Sequence, residues 1–414
     1  MDLPMDLHTG ELAWPYTLPT PPVYPELKEH IECDVLVIGS GVCGALIAYH
    51  LMERQIDTVL VEKRRVASGS SSANTGLLQF SNDKHLTSCI HTFGERKGVR
   101  LYELSRQAVQ DLGKISSQLQ IDPEYTRRDS LYLATSTDDV PKLKVEYETL
   151  LKYGFDVTYL EPETIASTYA FSRPGAIFSR GDAEINPYRL AISLVHESHG
   201  KGLRVYENTE ILRHTKHKDH QLFHTKTHTI KARKAVFATG YETQSIKHNS
   251  NAVLSSTYAL VTGQVRDFNG WPGRCLIWET SRPFLYIRTT TDNRIVIGGF
   301  DEQTIVPEER NRKLPRKKDQ LLQEIFKLFP QFTGLNAEYF WSAVFGETHD
   351  GYPLIGPQAG FPDCYFALGY GGNGTVFSMI AAQIISDLIT TGEHPDADLF
   401  HFGRNSRDKG VKSN

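Results

Sequence analysis

The 414-residue chain carries no marked excess of either charge: 45 Lys and Arg stand against 49 Asp and Glu, a formal net charge of -4. That balance gives no electrostatic case for nucleic acid as a partner. Cysteine is scarce. Cys33, Cys43, Cys89, Cys275 and Cys364 are scattered, odd in number and form no Cys-x-x-Cys, which fits a reduced, cytoplasmic protein. No basic start followed by an apolar core marks a secretion signal. The most apolar window, Val35 to Met52, is broken by three glycines and preceded by Glu32 and Asp34. It therefore reads as buried strand plus helix, with no membrane span. There is no internal repeat and no nucleophile-elbow pattern for a Ser-His-Asp enzyme.

What is present is ordinary for a globular chain, 40% apolar and 23% charged, of a length that suggests two connected domains. One stretch stands out. The apolar run Asp34 to Ile38 leads into Gly39-Ser40-Gly41-Val42-Cys43-Gly44, an amphipathic segment follows to Glu53, and the run Thr58 to Val61 ends on Glu62. Strand, tight turn, helix, strand, acid is the order of a dinucleotide-binding βαβ unit. Gly39 permits the sharp turn, Gly41 lets a pyrophosphate approach the backbone, and Gly44 lets helix and strand pack closely. The pyrophosphate would sit at the positive end of the helix dipole. Glu62, 18 residues after Gly44, can accept hydrogen bonds from a ribose hydroxyl. Cys43 reads as a small packed residue in this turn.

Further along, helical spacing covers 90–121 and 141–153, and Ser130 to Ala134 reads as a strand. A helix opens at Asn186-Pro187 and runs to about Ser198. A strand at Lys234 to Phe237 ends in Ala238-Thr239-Gly240. Residues 254–300 are rich in β formers and suggest an antiparallel sheet. The strand Tyr365 to Gly369 enters Tyr370-Gly371-Gly372-Asn373-Gly374-Thr375 and a long apolar helix, Val376 to Leu388. The predicted organisation is an extended, proline-rich arm at 1–30; a nucleotide domain from 31–85, 186–253 and 336–400; a second domain from 86–185 and 254–335 across a cleft; and a polar tail at 401–414. Two glycine loops converging on one sheet suit a ligand longer than a nicotinamide enzyme's first loop requires, namely FAD.

With these motifs in order, the chain resembles the D-amino-acid oxidase superfamily of FAD-dependent amine oxidoreductases, from about 30 to 395. Beside the first glycine turn and the second glycine loop, the resemblance rests on Glu62-Lys63-Arg64, on Gly69-Ser70-Ser71-Ser72-Ala73-Asn74-Thr75-Gly76-Leu77-Leu78, on Asn186-Pro187, on Ala238-Thr239-Gly240 and on Asp350-Gly351-Tyr352-Pro353-Leu354-Ile355-Gly356. It implies an α/β fold: a Rossmann-like FAD-binding domain with an α+β substrate domain built on an antiparallel sheet. It implies that Gly69–Leu78 runs beneath the flavin ring and diphosphate and that Gly371–Thr375 binds the pyrimidine edge. A small amine would lie over the ring for hydride transfer to flavin, with oxygen or another acceptor closing the cycle.

Two departures carry information. Some members attach FAD through a His after the acid or a Cys before the Asp-Gly-x-Pro motif. Residues 64–80 hold no His and 341–356 no Cys, so non-covalent FAD is expected. Amino-acid oxidases of the group tend to carry an Arg shortly before that motif as a carboxylate clamp. Here 336–356 contain no Arg, and the slot falls near Phe345. Arg288 is the substitute candidate, since Tyr286 and Arg288 share one face of a predicted strand; the alternative is a solvent-facing Arg. Trp278, Tyr286, Trp341 and Phe345 are candidates for an apolar cover that favours the neutral amine. His214, His217, His220, His224 and His228 read as a solvated hairpin, and Arg312 to Lys318 as a solvated basic face; no metal is expected. A nicotinamide dehydrogenase and a flavin-bound scaffold without activity remain the alternatives.

Overall fold

The computed structural model describes residues 5–246, 249, 252–282, 284–368 and 371–404. Gly369 and Tyr370 of the second glycine motif, and most of the polar tail, lie outside them. The chain divides into two compact units: Met1–Thr20, Gly69–Leu190 and Leu254–Gly346 form the first, and Pro21–Ser68, Ala191–Val253 and Glu347–Asn414 the second. The expected nucleotide domain therefore differs at its edges: 69–85, 186–190 and 336–346 belong by contact to the first unit.

The second unit is built on an eight-stranded sheet. Phe361–Leu368, Thr229–Phe237, Ile31–Ile38, Thr58–Val61 and Arg204–Tyr206 run parallel in that order, and Leu354–Gln358 adds an antiparallel edge. Strands buried on both faces need continuous apolar sequence, which Val35 to Ile38 and Val59 to Val61 supply; all are nearly inaccessible. The helices Val42–Glu53 and Gly374–Thr390 pack on this sheet and on each other. The histidine-rich segment forms the hairpin of Arg213–Lys216 and Gln221–His224. There His214 stacks on Phe223 and Phe361 at ring separations of 5.3 and 5.7 Å. Among the described residues no His/Cys/Asp/Glu group could hold a metal ion.

The first unit carries a ten-stranded sheet. Its central run is Ala337–Thr348, Ala252–Thr262, Ile295–Glu302, Leu285–Thr289, Leu276–Glu279, Thr126–Leu133 and Ala176–Glu184; from Ala252–Thr262 onward the pairs are antiparallel except where Leu276–Glu279 meets Thr126–Leu133. One face is core: Leu131, Leu133, Ile277, Ile287, Ile297 and Leu260 pack with Leu321, Ile325 and Phe329 from the helix Pro307–Leu328 and its end. By alternation, Tyr132, Trp278, Tyr286 and Arg288 take the other face.

Three departures from the sequence pattern have local causes. The helix predicted over 90–121 is two helices, Leu86–Phe93 and Glu95–Ser116, broken at Gly94, whose φ of +82° is left-handed. The basic run at 312–318 is not wholly a solvated face: Lys313 and Lys317 turn onto Glu302, and Lys317 lies over the rings of Tyr258 and Phe300. The N-terminal arm is not merely laid over the surface. His8–Glu11 extends the sheet by pairing with Ala337–Thr348, and Trp14 is 2% exposed.

Candidate functional site

In the second unit the register delivers four loops to one sheet edge. Ile38 lies opposite Val61 and Phe237, and Phe237 opposite Phe366. Because these strands are parallel, Gly39–Gly44, Glu62–Arg64, Ala238–Gly240 and Gly371–Thr375 all leave the same end of the sheet. Open parallel sheets bind ligands at that end. Gly39 has a φ of +99°, and a side chain at Gly44 would sit 1.8 Å from the Gly39 carbonyl oxygen. Turn and helix start thus touch, backbone to backbone. Gly41 is the helix N-cap, in extended conformation, with no side-chain cap and no acid in the first turn. The helix Gly374–Thr390 opens likewise after Asn373, without a side-chain cap or a first-turn acid. The strands feeding these two helices are separated by one intervening strand, about 10 Å at usual strand spacing. One ligand reaching both N-termini must be elongated and anionic or polar at both. That donor arrangement fits FAD.

The Glu62 carboxylate is already oriented: Oε2 accepts the Ser40 N–H and hydroxyl, each at 3.0 Å, and Oε1 the Arg64 N–H at 2.9 Å. It ties the glycine turn to the next strand end. Lys63 and Arg64 both donate to Glu242, at 2.7 and 2.9 Å, so their charges are shared with an acid just after the Ala238-Thr239-Gly240 strand end. Thr239 bonds Thr243 through its hydroxyl at 2.8 Å.

The remaining assigned residues lie in the first unit. Ser70–Ala73 is a short 3-10 turn, and Leu77–Leu78 pairs with Ala176–Glu184. Between them, three consecutive carbonyls are each bound by a distant side chain. Trp341 Nε1 donates to Ala73 O at 2.9 Å, Trp14 Nε1 to Asn74 O at 2.7 Å, and Arg288 Nε to Thr75 O at 2.6 Å. The Asn74 side chain accepts the Gly76 N–H at 2.8 Å. Gly76 has a φ of +77°, with the Ile185 carbonyl 2.1 Å from where a Cβ would stand.

Arg288 is therefore neither an open carboxylate clamp nor a solvent-facing residue. It is 3% exposed and also donates to Ile185 O at 3.0 Å and Thr289 O at 2.9 Å, with Glu184 at 3.9 Å. Burial pulls its guanidinium pKa down, opposed by Glu184. Tyr286 is half-buried on the same strand, its ring over Gly298, where a Cβ would lie 2.4 Å away. Burial pushes its phenol pKa upward. In register beside it, Trp278 stands opposite both Tyr286 and Tyr132 and stacks on Tyr132 at 3.8 Å; Tyr132 in turn meets His85 Nε2 at 2.8 Å. The Trp278 indole N–H is buried without a hydrogen-bond partner. Of the other apolar-cover candidates, Trp341 is buried and bound to Ala73, and Phe345 is half-buried.

Sequence reasoning passed over Trp14, Glu242 and Tyr132. Trp14 was visible only as an aromatic among prolines, and Glu242 only as an acid two residues past Gly240.

The parallel sheet and the glycine loops at its strand ends have the form of an α/β nucleotide-binding fold. Residues 34–388 match the model of the DAO family, FAD dependent oxidoreductase; the chain belongs to this family and is an FAD-dependent oxidoreductase. It is 25% identical over 386 residues to the putative Rieske 2Fe-2S iron-sulfur protein YhfW of Bacillus subtilis, a match covering 92% of this chain and 73% of that protein. It is 24% identical to the gamma-glutamylputrescine oxidoreductase of Escherichia coli, covering 88% and 85%. The fold is shared with the crystal structure of glycine oxidase from Geobacillus kaustophilus, at a TM-score of 0.76 and 21% identity over 88% of this chain and 96% of that one. The family removes the nicotinamide alternative. No helix among the described residues is long and apolar enough to cross a membrane.

Proposed function

We propose that the protein oxidises a C–N bond of a small amine or amino acid, with non-covalently held FAD and molecular oxygen as final acceptor. FAD, when bound, supplies the two-electron hydride acceptor. The chain's own residues bind and orient. The Gly39–Gly44 turn and its helix N-terminus would take the pyrophosphate, Glu62 a ribose hydroxyl, and Gly371–Thr375 the polar edge of the ring. The loop Gly69–Leu78, held through its carbonyls, would present a fixed surface to the cofactor. In the first unit, the row Tyr132–Trp278–Tyr286 offers apolar surface and one unused donor, the Trp278 indole N–H. A substrate amine can lose hydride only as the neutral base, and a low-dielectric aromatic surrounding lowers its pKa toward that form. The imine product would hydrolyse in water.

The observation that carries this reading is the pair of helix N-termini, at Gly41 and Asn373, delivered to one parallel-sheet edge without an acid in either first turn. Amine chemistry is supported by the likeness to gamma-glutamylputrescine oxidoreductase and glycine oxidase, and non-covalent attachment by the missing His at 64–80 and Cys at 341–356. With Arg288 committed to backbone carbonyls, no carboxylate clamp stands on its strand, so substrates without a free α-carboxylate belong in the panel. Purified protein should be yellow, and release its flavin on denaturation. Anaerobic mixing with small amines, N-methyl amino acids and polyamine derivatives should bleach it with at least one, and admitted oxygen should restore the colour. A yellow protein that no amine bleaches would favour the scaffold alternative; bleaching without reoxidation by oxygen would refute the acceptor.

A further inference from the structure

Residues 8–17 precede the family match, which begins at 34, yet they are built into the surroundings of the Gly69–Leu78 loop. We propose that this N-terminal segment is a clamp that holds the loop in its cofactor-receiving conformation, with Trp14 as the positioning residue. The inference rests on the reading in which that loop contacts FAD.

All three side-chain donors to the carbonyls of Ala73, Asn74 and Thr75 belong to the segment or lie against it. Trp14 supplies one directly, through its indole N–H on Asn74 O. Arg288, which binds Thr75 O, has its guanidinium 4.9 Å over the Trp14 ring. Trp341, which binds Ala73 O, lies in Ala337–Thr348 directly opposite Gly10 of the added strand. The pairing there is so close that a Cβ on Gly10 would stand 2.4 Å from Phe340 O. Trp14 is in turn held in place. The Thr17 hydroxyl donates to Trp14 O at 2.7 Å and accepts from Asn186 Nδ2 at 2.9 Å, while Arg189 Nη1 donates to Thr17 O at 2.7 Å. A loop of serines and glycine has wide backbone freedom, and ordering it on binding opposes affinity. Three carbonyls tied in advance remove much of that opposition.

The test uses full-length apoprotein titrated with FAD, followed by bound-flavin absorbance, together with amide exchange over 70–78 with and without FAD. In the natural sequence FAD should slow exchange across the loop. Trp14→Phe keeps an apolar ring and removes the donor. It should speed exchange at 73–78 in the apoprotein more than elsewhere, and weaken FAD binding about three- to tenfold, the loss of one hydrogen bond. A general loss of stability would instead raise exchange throughout the unit. Thr17→Val, which leaves the indole but frees its carbonyl, should move both readouts the same way by less, and serves alone if Trp14→Phe does not fold. Exchange and affinity unchanged in the variants, with the loop protected by FAD, would overturn the clamp and leave the cofactor reading standing. A loop that FAD leaves unprotected in the natural sequence would overturn both.

Discussion

The Arg288 guanidinium stacks on the Trp14 indole at 4.9 Å while donating to the carbonyls of Thr75, Ile185 and Thr289. A cation so placed serves the backbone around it.

Replacing Arg288 by Leu should therefore act on stability before it acts on substrate. Three buried carbonyls would lose their donor, a cost of about 3–5 kcal/mol for breaking such a buried arrangement. The melting temperature should fall by roughly 10 °C, with flavin content falling alongside. An unchanged melting temperature, with KM raised only for carboxylate substrates, would restore the clamp reading.

Gly41 and Gly44 should fail differently. Gly41 has a φ of -67°, open to any residue, so Gly41→Val should fold yet lose its flavin, because the side chain occupies the pyrophosphate's path. Gly44→Ala puts a methyl 1.8 Å from the Gly39 carbonyl oxygen and should lower the melting temperature of the apoprotein as well. A yellow Gly41→Val protein would contradict the assignment of the turn.

Asp182 is wholly buried, its carboxyl accepting from the Phe80 N–H at 2.9 Å and the Ser130 hydroxyl at 2.6 Å. Burial pushes its pKa from 3.8 to about 7. The folded state therefore holds a proton that the unfolded chain releases near the ordinary value. This contribution to stability is complete below the unfolded pKa and is lost as pH rises through the folded one. At 1.36 kcal/mol per unit it amounts to about 4 kcal/mol at most. Asp182→Asn, neutral at every pH and able to donate to Ser130, should melt above the natural protein at pH 8 and converge with it toward pH 4. Parallel melting curves across that range would refute the shift.

Arg404 grips Asp350 through both carboxylate oxygens, at 2.8 and 2.7 Å, and donates to the carbonyls of Tyr352 and Pro353. Both side chains are less than a tenth exposed. The start of the predicted polar tail is thus an anchor for the Asp-Gly-Tyr-Pro turn. Arg404→Ala should cost about 3–5 kcal/mol by leaving Asp350 buried without its main cation. Thermal unfolding checks this, and a shift under 2 °C would rule it out.

Much of the nucleotide-binding half is readable along the chain because its determinants are local. The apolar runs at 35–38 and 59–61, the glycines that separate them from a helix, and Glu62 all act within about thirty residues. The antiparallel sheet of 254–300 follows from β-branched and aromatic content, and the alternation correctly places Tyr286 and Arg288 on one face. Period-2 spacing, however, says nothing of what lies opposite that face. Arg288 became a backbone anchor because the carbonyls of 75 and 185 are brought to it from far along the chain.

The same distance hid the partners of Trp14, Trp341 and Arg404, whose indole or guanidinium donors bind groups 51 to 268 residues away. Composition and spacing were enough for the element types, the glycine turns and the cofactor class, because backbone sterics and helix dipoles operate over a few residues. Which side chains hold those turns still was settled by folding, since a buried carbonyl takes whichever donor the packing of remote segments brings within 3 Å.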